Sequence, residues 1–171
     1  DYIAYINGTM TSFSQFPGYP FEKYYDEIDI SKYLVSENTP VVIRLLSSNC
    51  NCYSAVEEPG FLCAEVESDG EIIAFTGKNG SFSCVLLDEH IQKTLRYSFQ
   101  RTFSEAYVLS PDKEIFNYNP TESAYKPIDL VEFEPKNYIP RDLYYPDFTF
   151  EESKRIIKKG PFVSGEPYEF I

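Results

Sequence analysis

The sequence predicts a mainly β domain: an antiparallel β-sandwich or barrel-like fold with one C-terminal helix over about 149–159. Three observations carry this. Apolar runs are short and turn signals recur every 8–12 residues or so, as in sandwiches and barrels. Asp69-Gly70 and Asn79-Gly80 are the dipeptides that close two-residue hairpins, because both central positions need positive φ. Thr149 and Glu152 form a capping box ahead of Ile156 and Ile157, with Lys158-Lys159 and then Gly160-Pro161 to end the helix. The alternative is an α+β arrangement with that helix packed on an antiparallel sheet.

Tyr2 to Ile6 and Val41 to Leu46 read as strands, and Ile28 and Ile30 hint at a further strand or a short helix. Residues 61–87 predict a three-stranded meander. Centring its turns on 69–70 and 79–80 pairs Ala64 with Phe75, Val66 with Ile73, Phe75 with Cys84 and Ile73 with Leu86. One face then holds Leu62, Ala64, Val66, Ile73, Phe75, Phe82, Cys84 and Leu86 as a core face, and a one-residue slip would invert it. Asp88 to Ile91 suits a short helical turn. Leu95, Tyr97, Phe99 and Phe103 alternate as a half-buried strand, and Ala106–Leu109 and Ile115–Tyr118 flank another turn.

Residues 119–148 carry Pro120, Pro127, Pro135, Pro140 and Pro146 among Tyr and Phe. Prolines block helices and central strands, whereas the aromatics speak against disorder. This segment is therefore an extended strap over the domain, followed by the helix and a C-terminal tail (149–171). At 171 residues the chain is one domain, 1–171, long enough to bury a core without cross-links.

Net charge is −12. A surface this acidic repels phosphate backbones and anionic lipid, so nucleic acid is excluded as a partner and a protein with a basic patch is favoured. No apolar run approaches the roughly 20 residues that span a bilayer, so no direct membrane insertion is expected within this chain.

Cys50, Cys52, Cys63 and Cys84 lie close together in sequence, and Asn7-Gly8-Thr9 and Asn79-Gly80-Ser81 are glycosylation sequons at Asn7 and Asn79. The chain opens on Asp1-Tyr2 without Met, which fits removal of an upstream signal peptide. Together these point to a secreted, disulfide-bonded glycoprotein, free or at the extracellular face of a membrane. In the meander register Cys63 and Cys84 point to opposite faces, and a C-x-C ring is strained. Cys50 and Cys52 should therefore each take one of Cys63 and Cys84, in an order the spacing leaves open. Zinc is the rival, but it is gripped by close C-x2-4-C pairs, and this spacing offers none.

No catalytic set, metal site or cofactor motif is legible. His90 is the only histidine, and no phosphate-binding glycine loop or nucleophile elbow occurs. Glu65 and Glu67 share a strand face beside Asp69 and Glu71, which suits a solvated edge or, less simply, paired carboxylates. Tyrosines are abundant, 15 in all, with Tyr24-Tyr25 and Tyr144-Tyr145 the densest exposed candidates. The functional expectation is a secreted or cell-surface protein-binding module of host-interaction, receptor-ectodomain or inhibitor type. It would bind through Tyr24, Tyr25, Tyr144, Tyr145, Glu65 and Glu67. The alternatives are a secreted hydrolase using carboxylates with His90, and a periplasmic immunity or inhibitor protein.

Overall fold

The computed structural model describes residues 1–14, 18–110 and 124–142, with Arg155 and Gly160. The described chain is mainly β, built from small sheets rather than a closed barrel. In the first sheet β1 (Tyr2–Ile6) lies between β2 (Thr9–Ser14) and β4 (Val41–Leu45), all antiparallel. Asn7 and Gly8, at φ 49° and 75°, close the β1–β2 hairpin, the left-handed pair that a two-residue turn demands. A bulge between Ala4 and Tyr5 leaves Thr11 as the extra residue opposite, and the Thr11 hydroxyl donates to the Ala4 carbonyl at 3.2 Å. Ala4, Tyr5 and Ile6 are buried in succession. Consecutive burial means both faces of β1 are covered, as befits the central strand.

The other sheets have two strands each. β3 (Glu22–Tyr25) pairs in parallel with β9 (Asn137–Pro140), β5 (Glu65–Ser68) pairs antiparallel with β6 (Glu71–Phe75), and β7 (Val85–Leu86) pairs antiparallel with β8 (Lys126–Pro127). A 3-10 turn spans Ser31–Tyr33, where Asp29 accepts from the Ser31 amide and hydroxyl. Thus the described part of the proline-rich segment adds a strand at two places, β8 beside β7 and β9 beside β3. Pro127 and Pro140 sit in two-stranded pairs with an open side, the setting in which a missing N–H is tolerated.

The meander expectation holds at its first turn and fails beyond it. Asp69 and Gly70 have φ 52° and 82°, and Ser68–Glu71 and Glu67–Ile72 pair as the turn requires. A bulge between Val66 and Glu67 then slips the register by one, so Val66 faces Ala74 and Glu65 faces Phe75. The second turn differs in kind. The Gly80 amide bonds the Gly77 carbonyl at 3.0 Å, making Lys78-Asn79 the turn centre, and the Ser81 amide bonds the Phe75 carbonyl. The chain leaves β6 there, and β7 pairs with the strap instead. With no third strand to cover them, Ile73, Phe75 and Leu86 are exposed rather than core, and Cys84 is exposed too.

Leu95, Tyr97 and Phe99 form no strand and are more than 80% exposed. Alternation survives in the sequence, but Arg96 instead bonds the Asn51, Phe99 and Arg101 carbonyls and ties this stretch into a loop against residues 51–53. The turn expected at 88–91 is present as a single hydrogen-bonded turn, the His90 amide donating to the Leu87 carbonyl at 3.3 Å, and His90 then bridges to Tyr107. The helix expected over 149–159 lies outside the described residues except Arg155, and Ile115–Tyr118 lies outside them as well.

Candidate functional site

The β3–β9 pair gathers the most aromatic surface. Tyr19 and Phe21 stack just before β3, with ring centroids 5.6 Å apart and planes 9° apart. Both are exposed, as are Tyr24, Tyr25 and Tyr138. Register puts Lys23 opposite Tyr138, Tyr24 opposite Ile139 and Tyr25 opposite Pro140. Neighbouring strand residues point to opposite faces, so Tyr24 and Tyr25 present different surfaces. Lys23, Tyr25 and Tyr138 share the face turned to residues 58–63. There Lys23 pairs with Glu58 and lies 5.8 Å from the Phe61 ring centroid, and burial, with Cys63 adding to it, pushes the Tyr138 phenol above its ordinary range. Tyr24 and Ile139 share the other face, alongside Glu22.

Two polar clusters hold this pair in place. Asp26 accepts from the Tyr2 hydroxyl and pairs with Arg141, and the Asp26 and Arg141 side chains are only 4% and 10% exposed. This links the ends of β3 and β9 to β1. At the other end Lys136 lies 3.8 Å from the Glu58 carboxylate, 5.6 Å from the Phe61 centroid and 2.6 Å from the Pro20 carbonyl it donates to. Acidic side chains rim the strand: Glu27 and Asp29 are exposed immediately after it.

Glu65 and Glu67 are exposed on β5, beside Asp69 and Glu71. His90 stacks edge-on to Tyr107 at 5.1 Å. Among the described residues no group of three or more His, Cys, Asp and Glu side chains converges to hold a metal ion. Tyr144 and Tyr145 lie outside the described residues. Both sequon asparagines, Asn7 and Asn79, are exposed on turns.

The four cysteines are free thiols: Cys50 buried, Cys52 half-buried, Cys63 and Cys84 exposed. The expected pairings of Cys50 and Cys52 with Cys63 and Cys84 are not formed in this structure. Burial opposes ionisation of Cys52, but hydrogen bonds with Ser54 and from the Ala55 backbone, and the Arg96 charge, outweigh it and bring the thiol below its ordinary range.

One group escaped the sequence reading. Glu89 is 4% exposed, and neither carboxylate oxygen has a hydrogen-bond partner among the described residues. Flanked by Asp88 and His90 it resembles a solvated turn residue, and nothing in the spacing signals burial.

No protein-family model matches the chain, and neither the curated proteins nor the solved structures give a significant match. The class that fold and site define is thus a small-sheet, mainly β chain with an acidic, aromatic surface. No helix among the described residues is long and apolar enough to cross a membrane.

Proposed function

We propose that this chain is a secreted or cell-surface protein-binding module that engages a basic protein surface and performs no catalysis of its own. The observation that carries this reading is the exposed aromatic surface of β3 and β9, rimmed by carboxylates. Rigid aromatic side chains give large contact area at low entropic cost, and tyrosine adds a hydroxyl. Tyr24 is the central candidate, since Tyr25 and Tyr138 share their face with Lys23 and the Glu58–Phe61 contacts. The charge of −12 supplies long-range attraction to a basic patch and repulsion of nucleic acid.

In the fuller form of the proposal the small sheets stack as an open sandwich. Cys50 and Cys52 each join Cys63 or Cys84 in the oxidising compartment, and Asn7 and Asn79 carry glycans.

Two measurements test it. Protein from a secretory host should gain about four mass units on reduction, one hydrogen per thiol, and lose mass on deglycosylation. Its affinity for basic extracellular proteins should then fall steeply as salt is raised. Affinities for every such protein that are negligible, or equal at low and high salt, would overturn the proposal.

A further inference from the structure

Residues 94–104 form a closed surface loop bonded from within. The Ser104 amide donates to the Leu95 carbonyl at 3.3 Å and the Thr94 hydroxyl to the Ser104 carbonyl, so the two ends meet. The Arg101 amide closes a turn on the Ser98 carbonyl at 3.1 Å. Arg96 ties the middle: its guanidinium donates to the Phe99, Arg101 and Asn51 carbonyls and lies 5.7 Å from the Phe103 ring centroid. The Tyr53 amide donates to the Gln100 carbonyl at 3.0 Å and fastens the loop to residues 51–53.

What this bonding leaves outside is apolar. Leu95, Tyr97 and Phe99 are 84%, 81% and 81% exposed, and Tyr53 on the adjoining segment is 90% exposed. Single apolar side chains at a surface are ordinary, but several held out by one ordered loop mark a contact. Two observations say what covers them. The carbonyls of Leu95, Ser98, Phe99, Gln100 and Arg101 all accept from donors within the chain. Water would satisfy these groups unaided, whereas backbone entering an apolar medium has to be satisfied internally. The loop is also locally cationic on an acidic chain: between Glu89 and Glu105 lie Lys93, Arg96 and Arg101 and no acid, with Lys93 and Arg101 exposed. Long basic side chains reach phosphates while aromatic and aliphatic neighbours sit at the boundary below them. At more than 80% exposure, moreover, each side chain stands nearly clear of its surroundings. A rigid protein surface would need a separate pocket for each, but a fluid interface closes round them.

We propose that the 94–104 loop docks on a phospholipid surface, with Leu95, Tyr97 and Phe99 entering the headgroup–acyl boundary and Lys93 and Arg101 on lipid phosphates. The contact is interfacial and spans nothing. It goes beyond the protein-binding reading and does not depend on it. The net charge of −12 opposes anionic lipid, so the surface is zwitterionic phosphatidylcholine, which offers phosphates without net charge.

The chain has no Trp, so Phe99→Trp in the full chain gives a single reporter. Its emission should shift to the blue as dioleoylphosphatidylcholine vesicles are added, and brominated phosphatidylcholine should quench it. Adding Leu95→Ser should weaken vesicle partitioning about tenfold or more, as loss of one buried leucine does; both positions are exposed, so the fold is not at stake. Ile72→Trp, 55% exposed on β6, should not shift. No blue shift at saturating lipid, partitioning unchanged by Leu95→Ser, or an equal shift from Ile72→Trp overturns the inference. A shift produced by a basic protein and not by vesicles would assign the loop to the protein interface and overturn the lipid contact. Loss of vesicle binding with basic-protein binding intact in the wild type would leave the broader reading standing.

Discussion

Arg141→Met removes one partner of the ion pair that fastens β9 to β3. Asp26 is 4% exposed at its side chain and receives the Arg141 guanidinium and the Tyr2 hydroxyl together. Taking away one member of a buried pair leaves a charge with too few partners and costs about 3–5 kcal/mol. That is a large share of the roughly 5–15 kcal/mol by which domains are stable. At about 2–4 °C per kcal/mol for a chain of this length, Tm should fall by about 6–20 °C. Urea unfolding followed by circular dichroism measures it, with an unchanged m value showing that the denatured state is not the cause. The double variant Asp26→Leu with Arg141→Met should recover much of the loss, since an apolar pair carries no desolvated charge. A loss below about 1 kcal/mol in Arg141→Met would refute the reasoning, for it would place the pair in effectively solvent-like surroundings.

Three further outcomes are expected. Gly80→Ala should destabilise by about 1–3 kcal/mol in the same assay, because a Cβ there would lie 2.0 Å from the Phe75 carbonyl oxygen. Iodoacetamide labelling read by peptide mass mapping should modify Cys52 at a lower pH than an ordinary thiol requires, and Arg96→Gln should reduce that advantage. Tyr107 is held above the ordinary phenol value by burial, then by the charge and hydrogen bond of Glu105, with Arg44 opposing. A phenol raised in the fold keeps its proton after the unfolded chain has lost it, so its contribution to stability is intact below that ordinary value and fades as pH rises through the folded one. Tyr107→Phe should remove the late-titrating phenol from an ultraviolet absorbance titration and flatten this alkaline loss.

Local signals in the sequence translated well where the chemistry is local. Tyr2–Ile6 and the strand from Val41 were legible as short apolar runs, and Asp69-Gly70 from the positive φ its turn needs. The described part of the proline-spaced segment 119–148 pairs β8 with β7 and β9 with β3, partners that the proline spacing does not name. Long-range choices were not legible. Asn79-Gly80 promised a hairpin, yet Gly77 shifted the turn by one residue and sent β7 to the strap. The bulge at Val66/Glu67 is invisible in residue types and inverts the face assignments beyond it. The Tyr24-Tyr25 doublet stood out by composition alone, which does not say that the two rings lie on opposite faces of β3. Glu89 gave no warning, because burial of a carboxylate depends on what folds over it.

The central claim is that the carboxylate-rimmed aromatic surface of β3 binds a basic protein, and Tyr24 offers the most direct test. The dissociation constant for the tightest basic partner at low salt should be compared between the wild type and Tyr24→Ser, by calorimetry on proteins shown to unfold alike. The account predicts a weakening of about tenfold or more, as truncation of an interface aromatic gives, with Tyr25→Ser affecting binding less. Unchanged affinity in Tyr24→Ser would contradict it.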